Sequence, residues 1–276
     1  MEIKRIQSLC FSASGVTEKV VRTLTEGLEE ELGLSPGVFH SFRKPSERAV
    51  DYVFGPGDLV VVGSPTYAGR MPNKIAPDFR ARLRGNGALA AAVVTFGNRA
   101  FDNSLAELCA LLEANGFHTA AAGAFPGRHA FTGALGEGRP DWDDRRIIWK
   151  FAGELAGKLR ALEAVPPPVE VPGDPEGAYY VPKGLEGEPV NFLKAKPRTD
   201  LSKCCNCGVC ARNCPMGAIN PENVAETPGT CIKCQACVRK CTHHAKYFDD
   251  PAFLSHVAML EKNFQEPKEC EVFFSV

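Results

Sequence analysis

Nine of the 12 cysteines fall between residues 204 and 241. Cys204, Cys207 and Cys210 are each separated by two residues, three more lead to Cys214, and Pro215 follows it. The run repeats 27 positions on (204 to 231, 207 to 234, 210 to 237, 214 to 241), which marks an internal duplication. Thiolates at this spacing on a tightly coiled loop grip three corners of an iron–sulfur cube, while the fourth, past a turn, reaches the neighbouring cube. The reading is two [4Fe–4S] clusters, one on Cys204, Cys207, Cys210 and Cys241, the other on Cys231, Cys234, Cys237 and Cys214. Structural zinc takes paired C-x-x-C units, four ligands to a site, and has no use for a third cysteine at this spacing in both runs. A disulfide framework needs an oxidising compartment. Cys205 aligns with Ile232 and is the spare, expected to pack. Thr242 stands where a proline would close the second run, and His243 and His244 after it read as solvated turn residues.

The remaining elements must position those thiolates. At 276 residues the chain has room for about two domains. Its composition, 44% hydrophobic and 24% charged, is that of an ordinary globular protein. A net charge of −1 offers no basic field for nucleic acid or anionic membrane. No apolar run approaches the ~20 residues of a membrane span, and the N-terminus lacks the apolar core of a signal peptide. The expectation is a cytoplasmic protein with reduced thiols.

Residues 1–165 alternate short apolar strands with amphipathic helices. Strands are expected at 3–11, 38–42, 58–63, 88–96 and, last, 117–125. Helices are expected at 17–33, capped by Thr17 and ended by Gly33, at 73–83, at 101–115 and at 141–163, the last with Trp142, Ile147, Ile148, Phe151, Leu155 and Leu159 inward. The alternation predicts an α/β fold, a doubly wound parallel sheet covered on both faces. Ligands bind such sheets at the carboxyl ends of the strands.

Three loops lie at those ends. Ser12-Ala13-Ser14-Gly15-Val16-Thr17 opens the first helix, where hydroxyls and free N–H groups suit a phosphate. Without a lysine it is no nucleoside-triphosphate loop, and the dinucleotide glycine pattern is missing. A lysine-free hydroxyl cradle suits the single phosphate of FMN. Pro65-Thr66-Tyr67-Ala68-Gly69 and Thr95-Phe96-Gly97-Asn98-Arg99 follow two further strands and are placed to sandwich a flat ring. Gly153, Gly157 and Lys158 lack the spacing of a phosphate loop and sit within a helix; Cys10 and Cys109 lie on apolar faces and are expected to be inert.

The first loop resembles the [ST]-x-[ST]-G-x-T phosphate loop of flavodoxins. With SPTYAGRMP, TFGNRAFDNSL, GAFPGRHAF and GRPDWDD, nearly the whole chain is similar to a family of flavodoxin–ferredoxin fusion proteins of bacteria and archaea. Ala13 and Ser14 replace the glycine and threonine common in that family, with the Ser14 hydroxyl kept, and Phe96 stands where it usually has tyrosine or valine. The resemblance implies a flavodoxin-like sheet of order 2-1-3-4-5, FMN, and a small α+β ferredoxin domain with two [4Fe–4S] clusters.

The expected division is a flavodoxin-like domain at 1–165, a Pro/Gly-rich linker at 166–197, the ferredoxin domain at 198–250, and a helix and tail at 251–276 that dock on the body. Tyr179, Tyr180, Val181 and Phe192 are too apolar for a free linker, as are Val272, Phe273 and Phe274 for a free tail. Seven Lys/Arg face five Asp/Glu over 198–250, and Lys203, Arg212, Lys233, Arg239 and Lys240 beside the cysteines read as a solvated face. The expected function is electron transfer between redox-protein partners, the clusters passing single electrons and the flavin joining one- and two-electron steps. The alternative is a flavin-dependent reductase of an organic substrate such as a quinone, with Asn98, Arg99 and His129 facing that substrate.

Overall fold

The computed structural model describes residues 2–275. In chain order the elements are β1 (Arg5–Cys10), α1 (Val16–Leu32), β2 (Phe39–Ser41), β3 (Tyr52–Val53), β4 (Asp58–Pro65), α2 (Ala76–Arg82), β5 (Leu83–Arg84), β6 (Leu89–Phe96), α3 (Ser104–Ala114), β7 (His118–Pro126) and α4 (Trp142–Arg160). They continue with β8 (Arg198–Thr199), α5 (Val209–Arg212), α6 (Ala236–Arg239), β9 (Lys246–Tyr247), α7 (Pro251–Asn263) and β10 (Glu271–Phe274).

The main sheet has the order β10-β7-β6-β4-β1-β2. Leaving aside β3 and β5, which pair with each other, its parallel strands run 2-1-3-4-5, the flavodoxin-like order. β4 and β6 are apolar and buried on both faces, as central parallel strands must be. One face carries α1 and α4 over Ile6, Val61 and Val93; the other carries α2 and α3 over Leu9, Val62 and Val94. Gly33 (φ 65°) and Gly116 (φ 79°) end α1 and α3 in the left-handed region. Among the described residues no helix is long and apolar enough to cross a membrane.

Three expectations change. The first helix is not capped by Thr17: Gly15, at φ 94°, holds the cap position and Thr17 is the buried second residue of α1. Trp142 is not inward but 71% exposed, under the guanidinium of Arg146. A reciprocal capping box between Asp141 and Asp144 fixes the first turn of α4 at the sheet margin, and the buried stripe gains apolar residues only from Ile148. Finally, β7 is not the last strand. The tail forms β10, antiparallel to β7, with Phe273 packing on one face of the sheet and Val272 and Phe274 on the other. Alternation along a strand turns an apolar tail into an edge cover for both cores.

Residues 161–197 hold no helix or extended strand, yet they are anchored. Val169 donates to the Thr119 carbonyl at 3.0 Å and Tyr180 to that of Ala68 at 2.8 Å. Phe192 joins Phe131, Phe253 and His256 in an aromatic group that ties the linker to α7. Val181 stays exposed.

Candidate functional site

The two cysteine runs share one backbone design. Asn206 and Gly208 in the first, Lys233 and Gln235 in the second, lie in the left-handed region at matching positions. Each run then makes one helical turn, α5 and α6. After the fourth cysteine, the Ala218 N–H points at the Cys214 sulfur and the Ala245 N–H at the Cys241 sulfur, both at 3.3 Å. β8 and β9 pair antiparallel at the base.

The thiols group across the runs. One cavity is framed by Cys231, Cys234 and Cys237 together with Cys214 from the other run. A second is framed by Cys204, Cys207 and Cys210 together with Cys241. The first is proximal to the parallel sheet: Cys234 and Ala236 belong to the same apolar core as Phe11 and Phe96, with Tyr67, Met216 and Ile232 packed on it. The second is distal and opens to solvent at Cys207. Burial pushes the Cys234 thiol up to about 12 and raises those of Cys237 and Cys231, whereas the hydrogen bond from the Val209 backbone lowers that of Cys207. Buried thiols of this kind ionise only as a metal takes them. The hydroxyl of Thr227 lines the proximal cavity, buried and without a partner among the described residues. A sulfur-rich cluster would supply the acceptor it lacks.

Several neighbours differ from expectation. Cys205 does not pack; it is exposed at the rim of the distal cavity. Lys233 and Arg239 are not simply solvated: the buried Lys233 donates to the Leu193 carbonyl of the intervening segment, and the half-buried Arg239 to that of His129, across the contact between the two halves. Lys203 pairs with Asp200 on the exposed side, and His243 and His244 are exposed as expected. Arg48 escaped the sequence reading. It is buried, pairs with Asp78 at 2.8 Å and donates to the Pro215 carbonyl at 2.9 Å, clamping the sheet domain to the turn after Cys214. An isolated arginine in a polar stretch carries no signal of such a contact.

The three loops at the carboxyl ends meet at Thr95. Its hydroxyl bonds that of Thr17 at 2.7 Å, and its carbonyl accepts from the Thr66 N–H at 2.7 Å. In the first loop Ser12 Oγ is buried without a partner among the described residues, and Ala13 is buried beside it. Gly15 has open space where a side chain would stand, α1 has no side-chain cap, and Glu18, the acid of its first turn, is paired with Arg22 at 2.9 Å. An orphaned hydroxyl beside an uncapped helix N-terminus fits a phosphate.

The second loop is a tight turn. Tyr67 and Arg70 bond each other's backbone, and Ala68 (φ 49°) and Gly69 (φ 78°) form its tip. Tyr67 packs toward the proximal cysteines; burial, then Cys234, holds its hydroxyl well above the usual range. In the third loop Phe96 is buried against Phe101. Gly97 lies so close to His129 that an added Cβ would stand 2.8 Å from its Cα. The side chains beyond it are engaged elsewhere. Asn98 donates to the Phe264 and Glu266 carbonyls at 2.7 and 3.0 Å and accepts from the Lys268 N–H, which seats the tail. Arg99 pairs with Asp102 and stacks 4.1 Å over Tyr180. His129 accepts from the Phe131 N–H through Nδ1, and burial lowers its pKa to about 4.

Residues 197–220 match the model of a 4Fe–4S binding domain. No curated protein matches the chain. Among solved structures, it is similar to rubredoxin oxygen:oxidoreductase from Desulfovibrio gigas, at 22% identity over 58% of this chain and 37% of that one, with a TM-score of 0.40. It is also similar to a flavodoxin from the domain Archaea, at 15% identity over 56% of this chain and 99% of that one, with a TM-score of 0.37. The chain thus spans little more than a third of the oxidoreductase. By its strand order and the matched motif, the chain is a flavodoxin-like α/β domain fused to a 4Fe–4S ferredoxin domain.

Proposed function

We propose that the chain is an electron-transfer iron–sulfur flavoprotein with two [4Fe–4S] clusters and FMN. The observation that carries this is the pair of cavities, each framed by three cysteines of one run and the fourth of the other, with the proximal one packed beside Tyr67. The proposed ligands are Cys204, Cys207, Cys210 and Cys241 at the distal cube, and Cys231, Cys234, Cys237 and Cys214 at the proximal one. FMN is assigned to the loops 12–17, 65–69 and 95–99, with Ser12, Ser14 and Thr17 around its phosphate and Tyr67 between its ring and the proximal cube. When bound, these groups supply one-electron transfer and a junction with two-electron chemistry.

The chain's own part is spacing and insulation. Arg48 and Arg239 hold the two halves in contact, and Tyr67, Met216 and Ile232 exclude water between them. The proposed division is a flavodoxin-like domain at 1–165, a linker at 166–197, a ferredoxin domain at 198–250 and a docked tail at 251–276. The engagement of Asn98, Arg99 and His129 with the chain itself supports a carrier between redox proteins over a reductase of quinones. The test is composition. Protein made without oxygen should hold about eight iron and eight sulfide per chain and one FMN; zinc in place of iron, or no flavin, would contradict the proposal.

A further inference from the structure

The duplication sets Lys246 opposite Ile219, each one residue past the alanine that points its N–H at the fourth cysteine's sulfur. Ile219 lines the proximal cavity and Lys246 the distal one. The backbone is thus the same in both places and the side chain is not.

Lys246 is only 3% exposed. Its ammonium donates to the Val224 carbonyl, and among the described residues it has no carboxylate partner. One carbonyl dipole does not balance a unit charge, and a buried cation without a counter-charge is strongly unfavourable. Four thiolates around an oxidised cube bring roughly −2. The proximal cavity has no such cation in its wall: Ile219, Ile232, Met216 and Phe248 line it with the neutral Thr227 hydroxyl. Cations do stand beside that run, but outside the cavity wall: the buried Lys233 next to Cys231 donates to the Leu193 carbonyl, Lys196 to the Thr227 and Pro228 carbonyls, and Arg239 to that of His129.

Resting on the two-cluster reading, we infer that Lys246 is the built-in counter-ion of the distal cube and raises its potential above what an apolar residue at that position, such as the Ile219 of the proximal wall, would give. Reduction adds one electron and no proton to a cube. A fixed cation favours the added charge, and an apolar wall disfavours it. With the cluster bound, Lys246 would favour an electron held at the distal site, which opens to solvent at Cys207 where a one-electron protein acceptor could reach it.

The test is a redox titration of the full chain by paramagnetic resonance, with the distal signal identified by its loss in Cys207→Ala. Lys246→Met keeps the stem and removes the charge. It should lower the distal reduction equilibrium about tenfold, about 59 mV, and move the proximal one much less, while Lys246→Arg stays near the unaltered protein. Loss of the distal cube alone in Lys246→Met, with retention in Lys246→Arg, supports the same assignment. Unchanged potentials in Lys246→Met with both cubes retained, or selective loss of the proximal cube, overturn it. Fewer than two cubes in the unaltered protein would instead sink the cluster reading itself.

Discussion

Asn206 and Gly208 repeat in backbone as Lys233 and Gln235, and α5 repeats as α6, yet the two runs live in different surroundings. Cys207 faces water, whereas Cys234 and Ala236 are sealed into the apolar core shared with Phe11 and Phe96. Gln235 accepts the strain of a left-handed backbone where the first run uses glycine, and it is buried. The cysteine spacing thus builds the cage, and the neighbours assign its use. A sealed site suits transfer within the molecule; an open one suits exchange with another protein.

The sharpest way to break this comparison is to remove the fourth cysteines. Cys214→Ala should cost about half of the iron, and the cube lost should be the proximal one, although Cys214 belongs to the distal run. Cys241→Ala should cost the distal one. Iron analysis with resonance spectra decides; loss of the cube held by the variant's own run would undo the exchange. Cys205→Ala should leave iron unchanged.

Next in size is the flavin site. Ser14→Asp with Thr17→Asp places negative charge where a phosphate is expected, so the purified protein should lose its flavin absorbance while keeping its iron. Flavin at full occupancy would count against the first loop.

Arg48→Met should loosen the clamp between the halves and lower stability by about 2 kcal/mol in denaturant titration, since it strips the Pro215 carbonyl of a buried charged donor. No change would mean that the proximal run is held by its apolar contacts alone.

The smallest effect is on pH dependence. Burial lowers the His129 pKa from 6.5 to about 4, so between those values the unfolded chain binds a proton that the folded chain refuses. Its contribution is complete above pH 6.5 and is lost as pH falls toward 4. His129→Gln, which keeps an acceptor for the Phe131 N–H, should flatten the stability profile in that window.

Much of this was legible in the residues. The cysteine repeat carries its own ligand spacing, and the continuous apolar runs of β4 and β6 announce buried parallel strands. The chain turns at Gly33 and Gly116 follow from glycine alone. What escaped depends on long-range contact. Lys233 and Arg239 read as a solvated face, and Arg48 and Lys246 drew no reading at all, because nothing local tells a cation that it will meet a carbonyl from a distant segment. The tail strand was legible as apolar but not as a strand, because its partner β7 lies about 150 residues away and pairing has no local signature. Trp142 misled because a helical stripe was extended one turn past the edge of the sheet.

The central claim is one circuit through the proximal site, and rapid mixing with a one-electron reductant tests it most directly. Loss of iron–sulfur absorbance should come first, and loss of oxidised-flavin absorbance should follow at a rate independent of protein concentration. A flavin rate that rises in proportion to protein concentration would mean that electrons pass between molecules, and the packed contact between Tyr67 and the proximal cysteines would then have no part in the transfer.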